Sequence, residues 1–150
     1  MKGFKFYKQE TVWTCGPAVA RMVFESAGIK KSEKEFVKLL KTNKVRGTYH
    51  EEFPALAEKF QLNYVVNRNS SINDLKFFLD NNYIIVVCYF IPKEKTDHYA
   101  VVKSIDSDFI YFYDPYYGEN HKLLLKDFDK NWKFYSKYSK EKRWFLGVKY

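Results

Sequence analysis

The hydrophobic positions change period part-way along the chain, at about Tyr83. Ahead of it they recur at helical spacing. Ala18, Val19, Met22, Val23 and Ala27 lie on one stripe. Pro17 fits only the first turn of such a helix, and Gly28 offers a left-handed stop. A helix beginning at Cys15 is therefore predicted. Ser32-Glu33-Lys34-Glu35 reads as a capping box opening a second helix, with Phe36, Val37, Leu39 and Leu40 as its apolar stripe. Gly47-Thr48 interrupts the chain. A third helix follows through Phe53, Leu56, Ala57 and Phe60, with Pro54 tolerated in its first turn. Leu62 to Val66 has the look of a short strand, and Ser71 caps a fourth helix carrying Leu75, Phe78 and Leu79.

Beyond Tyr83 the pattern is that of strands, predicted over 83–90, 98–105, 109–114 and 143–150. The first of these is apolar on both faces, which marks a central strand covered on both sides. Leu123, Leu124, Leu125 and Phe128 suggest a short helix or an irregular packed segment. No linker, repeat or low-complexity tract breaks the chain. The expectation is one α+β domain over residues 1–150, with helices mostly first and an antiparallel sheet after them.

Composition narrows the class. A hydrophobic content of 46% with 20% aromatic residues argues for a packed core despite 29% charged residues. No run reaches the roughly 18 apolar residues of a membrane span. Met1-Lys2-Gly3-Phe4-Lys5 has no apolar signal core, so a cytoplasmic location is expected. The net charge of +8 is compatible with anionic partners. It is concentrated near the end in Lys130, Lys133, Lys137, Lys140, Lys142 and Arg143, interleaved with Trp132, Tyr135, Tyr138 and Trp144. No RNA-binding, zinc-finger or glycine-rich phosphate motif accompanies it. That region is read as a solvated surface with partly buried rings, and nucleic acid is not an expected partner. No Cys/His cluster has metal-ligand spacing, so neither metal nor cofactor is expected.

The candidate chemistry starts at Cys15. A sulfur at a helix N-terminus meets backbone N–H groups and the positive end of the helix dipole. Six residues upstream, Gln9 supplies a neutral amide donor on the incoming loop. A nucleophile with such a donor nearby is the minimum for acyl transfer. Cys88 lies inside the apolar strand Tyr83–Phe90 and is read as core filling and not as a disulfide partner. His98 stands at the mouth of one strand, and Asp114 ends the next, just before Pro115. With a three-residue loop centred on Asp106, the two positions face one another. Centred on Ser107, they become diagonal neighbours on one face. Direct and diagonal neighbours have Cβ separations of about 4.5–5.5 Å and about 7–8 Å. A two-residue loop sets them on opposite faces. A histidine held by an aspartate has a fixed tautomer and a stabilised imidazolium. His50 and His121 lack such a partner in sequence and are expected at the surface, as are Glu51, Glu52 and Asp127.

Gln9, Cys15-Gly16-Pro17-Ala18, His98-Tyr99-Ala100-Val101-Val102 and Asp114-Pro115 with Gly118 beyond resemble the C39-like branch of papain-fold cysteine peptidases. That family includes the peptidase domains of bacteriocin-exporting ABC transporters, and the resemblance spans residues from about 7 to 118. It implies a papain-like fold and a peptide or protein substrate. It also implies Cys15 as nucleophile, His98 as general base and acid, Asp114 as orienting residue, and Gln9 with the Cys15 N–H as oxyanion hole. Thr14 stands where many members carry aspartate. The resemblance is to a peptidase domain alone, so double-glycine leader cleavage is not implied. The same residues also suit an acyl or peptidyl transferase, and the fold alone suits a non-catalytic module binding peptides or polyanions.

Overall fold

The computed structural model describes residues 3–133 and 141–150. Tyr135, Lys137, Tyr138 and Lys140 from the basic, aromatic region lie outside them. The helices and strands run in the order α1 (Cys15–Ser26), α2 (Glu33–Leu39), α3 (Glu52–Lys59), β1 (Asn63–Asn67), α4 (Ile72–Asp80), β2 (Ile84–Ile91), β3 (Thr96–Ile105), β4 (Phe109–Asp114), β5 (Gly118–Leu124), α5 (Leu125–Asn131) and β6 (Phe145–Lys149). The six strands form one sheet in the order β1-β6-β2-β3-β4-β5, with antiparallel pairing throughout.

The local signals act as the sequence suggests. Ser32 and Ser71 each cap a helix with the side-chain hydroxyl and donate their own N–H to the carboxylate three residues on, Glu35 and Asp74. The centre of the sheet explains the double-sided apolar run in β2. Ile84, Val86 and Cys88 face a core built with Val19, Met22, Phe24, Phe36, Phe53 and Leu56 from α1, α2 and α3. Ile85, Val87 and Tyr89 face a second core with Leu75, Phe128 and Trp132, next to α4 and α5. Helices therefore cover both faces of the sheet, and not only the face reached by the first three. Cys88 is 1% exposed and is a free thiol that burial pushes up well above the ordinary range.

Three expectations need correcting. Gly118–Leu124 is a full strand paired with β4, which the polar stretch Glu119–Lys122 concealed, since an edge strand needs little apolar content. Trp132 and Trp144 are each 1% exposed and belong to the cores, not to a wetted surface; the Trp132 indole donates to the Trp144 carbonyl at 3.0 Å. His50 is not at the surface: it is 3% exposed and stacked on Trp144 at 4.4 Å. Tyr99 gives its only hydroxyl proton to the Thr48 carbonyl at 2.9 Å, so His50 Nδ1–H must donate to the Tyr99 oxygen at 2.5 Å.

Burial pushes His50 down to about 3, with help from the Arg68 charge. The unfolded chain takes up a proton near the ordinary value of 6.5, whereas the folded chain does not until about 3. Stability from this site is complete above the ordinary value and is lost as pH falls through that window. Urea unfolding of the parent is expected to lose up to about 1.4 kcal/mol per pH unit there from this group. His50→Phe, which keeps a ring against Trp144, is expected to show a shallower decline. Parallel pH profiles for the two proteins contradict the assignment.

Candidate active site

The nucleophile candidate is set by the start of α1. Cys15 and Gly16 open the helix, and the first intrahelical bond runs from the Ala18 N–H to the Thr14 carbonyl at 3.0 Å. Pro17 has no N–H, so the orphan donors of this turn are those of Cys15 and Gly16. Thr14 does not cap them with its side chain. Its hydroxyl instead accepts from the Thr11 N–H at 3.1 Å and donates to the Thr11 carbonyl at 3.2 Å. Glu33 is 1% exposed, and its two oxygens take the Glu10 N–H at 3.1 and 3.2 Å, so α2 braces the loop leading to the cysteine. Burial raises the Glu33 carboxyl above its ordinary value. Gly16 has a steric reason as well: a Cβ there would lie 2.3 Å from the Thr48 hydroxyl.

The other half comes from the sheet, and the connecting hairpin is not one of the expected three-residue loops. Ile105 faces Ile110, and the Asp106 N–H donates to the Phe109 carbonyl at 3.0 Å, leaving a two-residue turn at Ser107-Asp108. Taken alone, that turn sets His98 and Asp114 on opposite faces. The register shifts between Val102 and Ser104, where Lys103 is the extra residue of a β-bulge. One added residue reverses the alternation, and both side chains return to the same face as diagonal neighbours.

His98 Nε2 donates to Asp114 Oδ1 at 2.7 Å, with both residues buried. Cys15 is close enough to the His98 ring to act on its charge. Burial pushes the His98 imidazole down, but the Asp114 carboxylate and Cys15 outweigh it and raise it to about 10. Asp114 is 0% exposed and has four donors: His98 Nε2, the Tyr116 and Tyr117 N–H groups on Oδ1 at 2.9 Å each, and the Tyr89 hydroxyl on Oδ2 at 2.8 Å. Burial works against its charge, yet the His98 bond and these donors hold the carboxyl below the ordinary range.

Gln9 lies on the same side of the molecule. Its N–H donates to the Pro115 carbonyl at 2.8 Å, tying the loop to the turn beyond Asp114. Its side-chain amide donates to the Thr11 carbonyl at 2.7 Å, which uses one of two amide hydrogens. Sequence reasoning missed Tyr89. The signal was present: a four-residue turn at Pro92–Lys95 sets Tyr89 opposite His98, and a buried tyrosine hydroxyl needs a partner. His121, expected at the surface, is half-buried and stacks on Tyr117 at 4.6 Å; burial lowers its pKa. Among the described residues, no group of three or more His, Cys, Asp or Glu side chains is arranged to hold a metal. None of the described helices is long and apolar enough to cross a membrane.

The family model described as Peptidase_C39 like matches residues 1–140. The chain belongs to that family. No curated protein matches this C39-like chain. Among solved structures it is similar to a C39-like peptidase from Bacillus anthracis, with a TM-score of 0.78 at 14% identity over 99% of this chain and 95% of that one. The peptidase domain of Streptococcus ComA, a bi-functional ABC transporter of a quorum-sensing pathway, gives a TM-score of 0.73 at 21% identity over 97% of both chains. A double-glycine-motif protease from an AMS/PCAT transporter, solved with its leader peptide, gives 0.70 at 15% identity, covering 97% of this chain and 91% of that one. The fold is thus the C39 papain-like one.

Tyr89→Phe keeps the ring stacked on Phe112 but removes one donor from a buried carboxylate. Urea unfolding at neutral pH is expected to show a loss of about 1.5–3 kcal/mol. Asp114 is held low in the folded chain, so this difference is present above the ordinary carboxylate range. It should shrink as pH falls through the depressed Asp114 value. Equal stability of parent and variant at neutral pH contradicts the role given to the hydroxyl.

Proposed function

We propose that this chain is a cysteine peptidase using Cys15, His98, Asp114 and Gln9. The observation that carries the reading is the buried His98–Asp114 pair, with Cys15 at the start of α1 close enough to raise the His98 pKa. Cys15 gives its proton to His98 ahead of the attack, and the thiolate Sγ then attacks the carbonyl carbon of a peptide bond. The oxyanion that forms lies against the orphan N–H groups at the start of α1 and the second amide hydrogen of Gln9. The C–N bond breaks as the His98 imidazolium gives its proton to the leaving amine. Water, deprotonated by His98, then attacks the thioester and releases the acid and Sγ. Asp114 fixes the ring tautomer and stabilises the imidazolium throughout. The leader-peptide complex of the transporter protease supports a peptide or protein as substrate.

The test is a cleavage screen against a complex peptide mixture, with new termini read by mass spectrometry. Cys15→Ala is expected to produce none of the cleavages. Gln9→Ala is expected to retain them at a rate lower by on the order of 10²–10³, the usual cost of one oxyanion donor. The parent rate is expected to fall as pH rises through about 10, where His98 loses the proton it gives to the leaving amine. Cleavage by Cys15→Ala at the parent rate contradicts the proposal.

A further inference from the structure

The β4–β5 turn carries two adjacent tyrosines against His98. Tyr116 and Tyr117 are 43% and 41% exposed, unusual for large rings beside a buried site. Their ring centroids lie 6.3 and 6.1 Å from the His98 ring, both edge-on. They are mutually perpendicular at 4.9 Å. Both are held from behind. Their N–H groups are fixed on Asp114 Oδ1, the Tyr117 hydroxyl donates to Glu94 at 3.0 Å, and the Tyr117 ring stacks on His121. Tyr116 therefore presents its ring on a rigid support at low entropic cost to a ligand.

Resting on the peptidase reading, chemistry assigns what approaches there. His98 delivers its proton to the leaving nitrogen, so groups flanking the exposed side of His98 meet the part of the substrate attached to that nitrogen. We infer that Tyr116 and Tyr117 form a subsite for an aromatic or large apolar side chain on the residue immediately after the scissile bond. Ring edges and faces set at right angles suit a third ring. An acyl-enzyme attacked by an amine runs the same step backwards, so an incoming amine occupies the same place.

That reversal gives a test needing no natural substrate. p-Nitrophenyl acetate acylates Cys15: the S–C bond forms, the ester C–O bond breaks, p-nitrophenolate leaves, and the Cys15 proton held by His98 passes to solvent. Phenylalaninamide and glycinamide, at equal concentration, then compete for the acetyl group. The amine nitrogen bonds to the acetyl carbon, the C–S bond breaks, and the amine proton goes to His98. The product ratio is compared with that from S-acetyl-N-acetylcysteine methyl ester in buffer. The parent is expected to favour phenylalaninamide roughly five-fold over that reference, in line with one ring–ring contact. Tyr116→Phe should keep the preference, and Tyr116→Ala should bring it to the reference ratio. A Cys15-dependent burst with a parent ratio equal to the reference overturns the subsite and leaves the peptidase reading intact. A preference that survives Tyr116→Ala overturns it too. Absence of a burst that Cys15→Ala removes overturns the peptidase reading, and the subsite with it.

Discussion

A carboxylate shut off from water has to find its hydrogen-bond donors inside the protein, and Asp114 finds four. The donors come from three parts of the fold. Tyr89 comes from the central strand, His98 from the strand between, and Tyr116 and Tyr117 from the turn into the edge strand. Satisfying the carboxylate therefore fixes the register of three strands at one end of the sheet. It also explains the Lys103 bulge. Without the extra residue, the tight Ser107-Asp108 turn sends His98 and Asp114 to opposite faces, and Asp114 is buried without its imidazole.

The helix carrying Cys15 is fitted to that end of the sheet by a second polar chain. Thr48 touches Gly16 where no Cβ has room, and its hydroxyl lies 2.7 Å from that of Thr42. Its carbonyl receives Tyr99, which lies next to His98 in sequence, and Tyr99 in turn receives His50. Trp144, stacked on His50, brings in the start of the last strand. On the other side, Glu33 holds the Glu10 N–H and the Pro115 carbonyl holds that of Gln9. Both bonds pin the start of the loop that leads to Cys15, while Asp114 sets the position of the imidazole.

Much of this was legible in the sequence, for identifiable reasons. Proline in the first turn, the serine caps and the double-sided apolar strand are local or periodic signals, and each gave the right element. The pairing of His98 with Asp114 was legible as parity along a hairpin, although by a different route from the one observed. A three-residue loop and a two-residue loop with one bulge give the same parity, and the continuous apolar run Tyr99–Val102 offers no break in alternation to reveal the bulge. Long-range partners were what escaped. His50 reads as a surface residue because Tyr99 and Trp144 are far away in the chain. Glu33 shows only as part of the capping-box stretch, because the partner that buries it is the Glu10 backbone. Tyr89 is hidden among apolar neighbours whose side chains do need nothing but burial.

The central claim is that His98 activates Cys15. Iodoacetamide labelling across pH, read by mass spectrometry at Cys15 and Cys88 separately, tests it most directly. Labelling of Cys15 is expected to be faster than that of a free cysteine at the same pH. It should slow sharply in His98→Ala, while the buried Cys88 stays unlabelled in both folded proteins. Labelling of Cys15 no faster than that of a free cysteine, and unchanged in His98→Ala, contradicts the account.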